Sequence, residues 1–272
     1  MEEIPKLGIS VIIPTYNRAQ TIKKAIQSAQ NQSYPVGEII VVDDASSDET
    51  GQIVQSINDD RIRYFFLKKN KGAAGARNIG VSQAQYNTIA FLDSDDAWHP
   101  DKLEKQMTYL ISHKECRLIY SAYVRHYPSF DMVVPDIDTD RKLEGNILTE
   151  LLVENTVSTQ TILMTRELFV EVGGFDDSLR SLEDWDLVIR CAKLGPLGFI
   201  PEVLVDAEYL DDALTSNMSE YFKSRCLMMQ KYRQEYLATG TFNIATINIL
   251  EMAHKFNMLD SVQAMLLQSI SS

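Results

Sequence analysis

Cysteine is scarce in this chain: Cys116, Cys191 and Cys226 are the only three among 272 residues. They are scattered, odd in number and without metal-ligand spacing, which excludes a disulfide framework or a cysteine-built metal centre and points to reduced thiols. Positive charge is short as well. Lys and Arg number 26 against 38 Asp and Glu, a formal charge of −12, and that balance excludes a general nucleic-acid binder, which needs a basic stripe to meet phosphates. A phosphate-bearing small ligand is still compatible, provided a metal or a local cation mediates. No apolar run approaches the ~18 residues of a membrane span. The start, MEEIPKLG, is acidic where a leader would be basic, so a cytoplasmic protein is expected. There is no internal repeat and no low-complexity tract. The length suits one large α/β domain, or a domain with an appendage, and 45% apolar residues is ordinary for a chain with a sizeable core.

The first hundred residues alternate between two kinds of segment. ISVIIPT (9–15), EIIVVD (38–43), IRYFFL (62–67) and TIAFLD (88–93) are short apolar runs typical of strands covered on both faces. Helical stretches separate them, the first carrying Ile22, Ala25, Ile26 and Ala29 on one face. A helix over 100–113 follows, with Pro100 at its first turn. Such alternation predicts βαβ units and a mostly parallel sheet flanked by helices, with ligands beyond the carboxyl ends of the strands. Residues 126–146 read as a long loop, 146–155 as a helix, 161–165 as a short strand and VGGFDD (172–177) as a glycine turn. A helix over 183–195, a strand over 198–210 and a helical tail from about Ser219 complete the pattern. These segments divide the chain into an α/β domain over 1–210, with a ligand-binding half to about residue 100, and a C-terminal helical extension over 211–272.

Polar residues punctuate the strand ends: Thr15 to Arg18, Asp43 to Ser47, and Asp93 to Asp96. The last group is the most demanding. Asp93, Asp95 and Asp96 fall within four positions, and like charges this close require a positive partner. Carboxylates on a loop after a strand make a hard oxygen site for Mg²⁺ or Mn²⁺, though Asp-rich loops also cap helices. Asp43 and Asp44 can accept hydrogen bonds from a ligand or cap the helix that follows, a task Ser46, Ser47 or Asp48 could also do. KKNKGAAGARN (68–78) reads as a cationic glycine loop, with Lys68, Lys69, Lys71 and Arg77 around Gly72 and Gly75, suited to the wall of an anionic nucleotide site. LEDWDL places Glu183, Asp184 and Asp186 at a helix start, where the dipole favours negative charge. A carboxylate there can also serve as a general base.

VIIPTYNR, VVDDASSDET, NKGAAGARNIG, FLDSDD followed by WHPDKLEKQ, GGFD and EDWDL, in this order and spacing, resemble the family 2 glycosyltransferases of the GT-A fold. The resemblance covers about residues 9–205. It implies that Thr15, Tyr16, Asp44 and Arg77 contact the nucleotide base and ribose, that Asp93-Ser94-Asp95 is the DXD motif, and that Asp95 and Asp96 between them hold the ribose and a divalent metal. It implies Asp184 as the catalytic base of a single displacement that inverts the anomeric centre. The donor it implies is a nucleotide-sugar, a UDP-sugar above all; the acceptor is a glycan or lipid-linked hydroxyl, in a setting such as bacterial surface polysaccharide synthesis. One departure stands out. Many members carry a basic segment after the last strand that closes over the diphosphate, whereas here LVDAEYLDDALTSN offers Asp206, Glu208, Asp211 and Asp212. Either Lys69, Lys71 or Arg77 then does the neutralising, or this loop closes differently.

The remaining residues admit two readings each. Trp98 is expected to pack under the acidic loop, and His99 to be a polar turn residue rather than a metal ligand. Trp185 suits either an acceptor sugar or the core. Lys223, Arg225, Lys231 and Arg233, interleaved with Met228, Met229, Tyr232 and Tyr236, suit a peripheral membrane surface at the cytoplasmic face or, better given the acidic total, packing against the catalytic domain or a second copy in a homodimer. A sugar nucleotidylyltransferase would need a glycine-rich, Arg-containing loop where this chain has PTYNR, and a phosphatase would need an Asp there. An inactive glycan- or partner-binding relative of the same fold is the non-enzymatic alternative.

Overall fold

The computed structural model describes residues 8–208 and 217–271. Asp211 and Asp212 of the acidic segment, and the expected boundary at 210, lie outside them. The strands are β1 (Ile9–Thr15), β2 (Val36–Asp43), β3 (Ile62–Phe66), β4 (Thr88–Phe91), β5 (Ala97–Trp98), β6 (Leu118–His126), β7 (Asp131–Val134), β8 (Leu163–Thr165) and β9 (Gly198–Glu208). They form one sheet in the order β3-β2-β1-β4-β8-β6-β9-β5, with β7 also paired to β6. Over β3, β2, β1 and β4 the pairing is parallel, as the βαβ alternation predicts; β8 is antiparallel to β4 and β6, and β5 to β9. Where the sequence reads as an unbroken loop over 126–146, β7 pairs with the end of β6. Its residues Asp131–Val134 are largely exposed, so no buried apolar run announces the strand.

The helices are α1 (Ile22–Gln30), α2 (Thr50–Ser56), α3 (Gly72–Ser82), α4 (Lys102–Ser112), α5 (Leu148–Val153), α6 (Arg166–Glu171), α7 (Glu183–Ala192), α8 (Met218–Lys231), α9 (Arg233–Thr239), α10 (Phe242–Lys255) and α11 (Leu259–Ser271). The predicted face of α1 is the buried one: Ile22, Ala25, Ile26 and Ala29 all pack inward. KGAAGARN is not a loop. Gly72 opens α3 with φ +79°, and Gly75 to Arg77 are already buried helix. Small residues here let the helix approach the sheet, since a Cβ on Gly80 would stand 2.5 Å from Ile12 Cγ2.

The sheet separates two apolar layers. One is built on α1, α4 and the faces of β1 and β2 that carry Val11, Ile13, Ile39 and Val41. The other joins the opposite sheet face, through Ile12, Ile40 and Val42, to α7 and to Phe222, Met228, Met229, Tyr232, Tyr236, Ala245 and Ile249 of the C-terminal helices. Those helices therefore pack against the α/β unit and share its core. Among the described residues no helix is long and apolar enough to cross a membrane.

Candidate active site

Parallel pairing brings the carboxyl ends of β1, β2 and β4 together. Thr15 stands opposite Asp43, and the Asp44 backbone N–H donates to Thr15 O at 2.8 Å. The loops that leave these strands are tied to each other. Asn17 N–H donates to Ser46 Oγ, Ser47 N–H to Asn17 Oδ1, Arg18 N–H to Thr50 Oγ1 and Ala19 N–H to Asp48 Oδ2, at 2.8 to 3.1 Å. Asp48 also takes the Thr50 N–H and hydroxyl, so Asp48 is the residue that caps the start of α2.

Asp44 serves a different helix. Its two carboxylate oxygens accept the Lys71 and Gly72 N–H groups at 2.7 and 2.8 Å, at the positive end of α3. Burial still lifts its pKa above the ordinary value, against those two hydrogen bonds. Asp43 is buried, accepting from Ser46 N–H and Tyr64 Oη. Beside them the buried Thr15 hydroxyl has no hydrogen-bond partner, while the Tyr16 ring is 48% exposed at the rim. A buried hydroxyl with a spare donor thus lies next to an open aromatic face.

The acidic cluster after β4 meets arginines. Arg77, only 5% exposed, donates from one terminal nitrogen to Asp93 Oδ1 at 2.7 Å and from the other to Glu183 Oε1 at 2.8 Å. Arg18 Nε donates to Asp95 Oδ2 at 3.3 Å. Asp96 is buried; desolvation and then the charges of Asp93 and Asp95 push its pKa well above the usual carboxylate range, with Arg125 on β6 pulling the other way. Desolvation and Asp93 raise Asp95 too, against Arg18. Lys68, Lys69 and Lys71 stay exposed at the rim.

Arg77 carries the connection across to the start of α7. There Leu182 holds φ +65°, a conformation that strains a branched side chain. Ala45 (φ +69°) is strained alike, and Asn17 (φ +51°) takes the same left-handed conformation, which asparagine tolerates, so three loops at this end of the sheet turn through it. Asp184 follows Leu182 and Glu183. Its Oδ1 accepts the Trp185 N–H at 2.6 Å and sits 3.5 Å from Asn155 Nδ2. Burial first, and the Glu183 charge second, lift Asp184 to a pKa of about 7. Tyr123, three residues before the end of β6, feels the charge of both Asp184 and Asp96. The Arg77 bridge from Asp93 to Glu183 holds the acidic loop after β4 beside the start of α7.

Thr15, Asp44, Asp93, Asp95 and Asp96 gather from three strand ends, with Tyr16 at their rim; Arg77 and Glu183 join them to Asp184. Trp98 packs under the acidic loop as expected, donating Nε1–H to Gln160 O at 2.9 Å beneath the Lys102 ammonium. His99 stays a turn residue, 3.1 Å from Asp206 Oδ2, and Asp206 also meets His126 Nε2 at 3.2 Å. Trp185 is buried, 3% exposed, with Nε1–H on Leu151 O, and is therefore not open to an acceptor sugar. Asp186 does more than favour the helix dipole: it accepts from Arg190 and Tyr232 and pairs with Lys231. Sequence reasoning passed over Tyr123, Arg125 and Asn155. The strand-like run LIYSAYVRH was the available signal for the first two, since it ends on the ligand side of the sheet.

Residues 10–169 match the model of glycosyl transferase family 2. The chain belongs to that family. An uncharacterized glycosyltransferase of Rickettsia conorii, RC0461, is 32% identical over 225 residues, 78% of this chain and 36% of its own length. The chain thus spans about a third of that relative. WfaP of Escherichia coli, named as a UDP-Glc:alpha-D-GlcNAc-diphosphoundecaprenol beta-1,3-glucosyltransferase, is 39% identical over 131 residues, 47% of this chain and 50% of WfaP. S. aureus TarS 1-349 in complex with UDP-GlcNAc superimposes with a TM-score of 0.67 at 22% identity, over 81% of this chain and 65% of TarS. That likeness shows the GT-A fold. Asp184 lies beyond the matched family segment, so its role rests on the geometry around it.

Proposed function

We propose that this family 2 chain transfers a sugar from a nucleotide-sugar, a UDP-sugar, to a hydroxyl of a glycan or lipid-linked acceptor by one inverting displacement. The observation that carries this reading is the bridge of Arg77 from Asp93 to Glu183, which sets Asp184 beside the acidic loop, with burial and Glu183 raising its carboxyl to a pKa of about 7. A base of that strength is half deprotonated near neutral pH and takes a proton efficiently as a hydroxyl attacks. Asp184 accepts the acceptor's proton while the new bond forms at sugar C1 and the bond to the nucleoside diphosphate breaks. One displacement needs one base and no covalent carboxylate.

The other residues bind and orient. Thr15 Oγ1 and Asp44 meet the nucleoside through hydroxyl and N–H groups, and Tyr16 offers its face to the base. Arg77 fixes Asp93 relative to Glu183 and Asp184 with its two terminal nitrogens, and its Nε–H, which has no partner, is left for the nucleotide. Asp95 and Asp96 fit a divalent cation, Mn²⁺ or Mg²⁺, because burial and then the neighbouring carboxylates oppose their charge, which a hard cation would offset. Among the described residues no group of three or more His, Cys, Asp or Glu is placed to hold a metal ion, so an ion held by these two carboxylates would need its other oxygens from the ligand and water. When bound, such an ion offsets charge on the departing diphosphate as a Lewis acid. UDP is the nucleotide named for WfaP's donor and bound to TarS, and WfaP's named acceptor is lipid-linked. A role in polysaccharide assembly for this chain follows by analogy.

Calorimetric titration of UDP, GDP, CDP and dTDP, each with Mn²⁺ and with EDTA, tests the reading. UDP binds tightly with Mn²⁺ and about tenfold or more weakly with EDTA, a difference of roughly 1.4 kcal/mol. Equal UDP affinity in both buffers removes the metal. Binding of none of the four turns the protein into a scaffold.

A further inference from the structure

Both hydrogen-bond donors near Asp184 Oδ1 belong to elements pinned by one side chain of a C-terminal helix. Trp185 N–H comes from the first turn of α7, and Asn155 Nδ2 lies two residues past the end of α5. Arg225, buried on α8, lies with its guanidinium carbon 3.9 Å from the centre of the Trp185 ring. One terminal nitrogen of Arg225 donates to Leu152 O at 3.0 Å and to Val153 O at 3.4 Å; the other donates to Tyr236 Oη at 2.8 Å. Trp185 Nε1–H takes the adjacent carbonyl, Leu151 O, at 2.6 Å. The last carbonyls of α5, which have no partner within their helix, are thereby satisfied, and a cation stands at its negative end. Arg225 and Trp185 form one stacked clamp holding the end of α5 to the start of α7.

We propose that Arg225 is a positioning residue for the proposed catalytic base: by clamping Trp185 and the α5 carbonyls it fixes the two donors that aim Asp184. The proposal rests on the reading of Asp184 as the base. It makes the C-terminal helices part of the catalytic machinery, although they lie outside the segment that matches the family. Arg225 does not reach the cleft itself. Its planar fork, rather than its charge, is what the clamp requires, and lysine lacks that shape.

The test uses the full chain carrying Arg225→Lys, which keeps the charge and loses the stacked plane. UDP release from UDP-glucose and UDP-N-acetylglucosamine, UDP affinity with Mn²⁺, thermal unfolding, and the Asp184 carboxyl titration followed by ¹³C NMR are measured together. Arg225→Lys keeps UDP affinity within about twofold, loses roughly tenfold to a hundredfold in release rate, and titrates Asp184 at higher pH than wild type because the Trp185 N–H bond is weakened. A folded Arg225→Lys with wild-type rate and titration overturns the proposal. So does a loss of rate and affinity in step with unfolding, which marks packing alone. Should Arg225→Lys fail to fold, Tyr236→Phe removes one support of the guanidinium and is read in the same way. If wild type turns over neither sugar, the carboxyl titration decides. Asp184→Asn separates the two layers: wild-type release in that variant overturns the base, whereas a dead Asp184→Asn beside an unaltered Arg225→Lys overturns the clamp alone.

Discussion

Asp184 is held against its own ionisation, and this has two measurable consequences. Its pKa of about 7 stands above the ordinary 3.8 because burial and Glu183 both oppose its charge. Transfer should fall as pH drops through about 7, where the base becomes protonated, and a rate profile over pH 5 to 9 checks this. For stability the sign is opposite. The folded state holds this proton more tightly than the unfolded chain, so ionising Asp184 costs stability as pH rises from about 4 to 7. Asp184→Asn should therefore lose about 10³-fold in transfer while its Tm at pH 8 rises by about 2–4 °C, the shift that roughly 1 kcal/mol gives in a domain of this size. The same trade is written into the backbone at Ala45, whose φ of +69° strains any residue with a Cβ. Ala45→Gly should leave the unfolding free energy level or raise it, and Ala45→Val should lower it by about 1–2 kcal/mol in urea unfolding.

Elements were legible where the chemistry is local. Ile9–Thr15 and Val36–Asp43 announce buried strands by continuous apolar runs, and polar residues mark where those strands end. What could not be read was pairing over distance. Nothing near Arg77 points to Glu183, 106 positions away, and nothing near Asp44 reveals that it caps α3 rather than α2. Glycines made residues 68–78 look like a loop because Gly lowers helix propensity; close packing of α3 on β1 overrides that preference. Asp48 shows how these ties act at the level of elements. It serves both the α1 and the α2 approach, so Asp48→Ala should cost about 1–2 kcal/mol in denaturant unfolding, with weaker UDP binding as the loops separate. At the other edge, His126 joins β6 to β7 and β9 through Asp131 and Asp206, which raise its pKa. A raised His pKa stabilises below its ordinary value near 6.5 and is lost as pH rises through the folded value. His126→Ala should accordingly lower Tm at pH 6 and barely change it at pH 9.

Across the whole molecule the apolar layer beneath α7 is continuous with the C-terminal helices. The helical tail after about residue 210 is expected to pack against the catalytic domain or a second copy, and Phe222, Tyr232 and Tyr236 are buried in the layer shared with the α/β unit. A shared core of this kind should melt as one unit. Calorimetry on the full chain is expected to show a single transition whose van't Hoff and calorimetric enthalpies agree, whereas two resolved transitions would mean the tail folds separately. The mutual bracing of the first two loops, described above as four hydrogen bonds between residues 17–19 and 46–50, also dictates where this chain can be edited. Neither loop can change length without breaking the other, so an exchange of single loops with a relative will fail there, while a graft of residues 9–50 taken whole will carry its own bracing. The stretch between β7 and α5 is free of those ties. Insertions and exchanges are best made on that side, leaving residues 9–50 as one indivisible module.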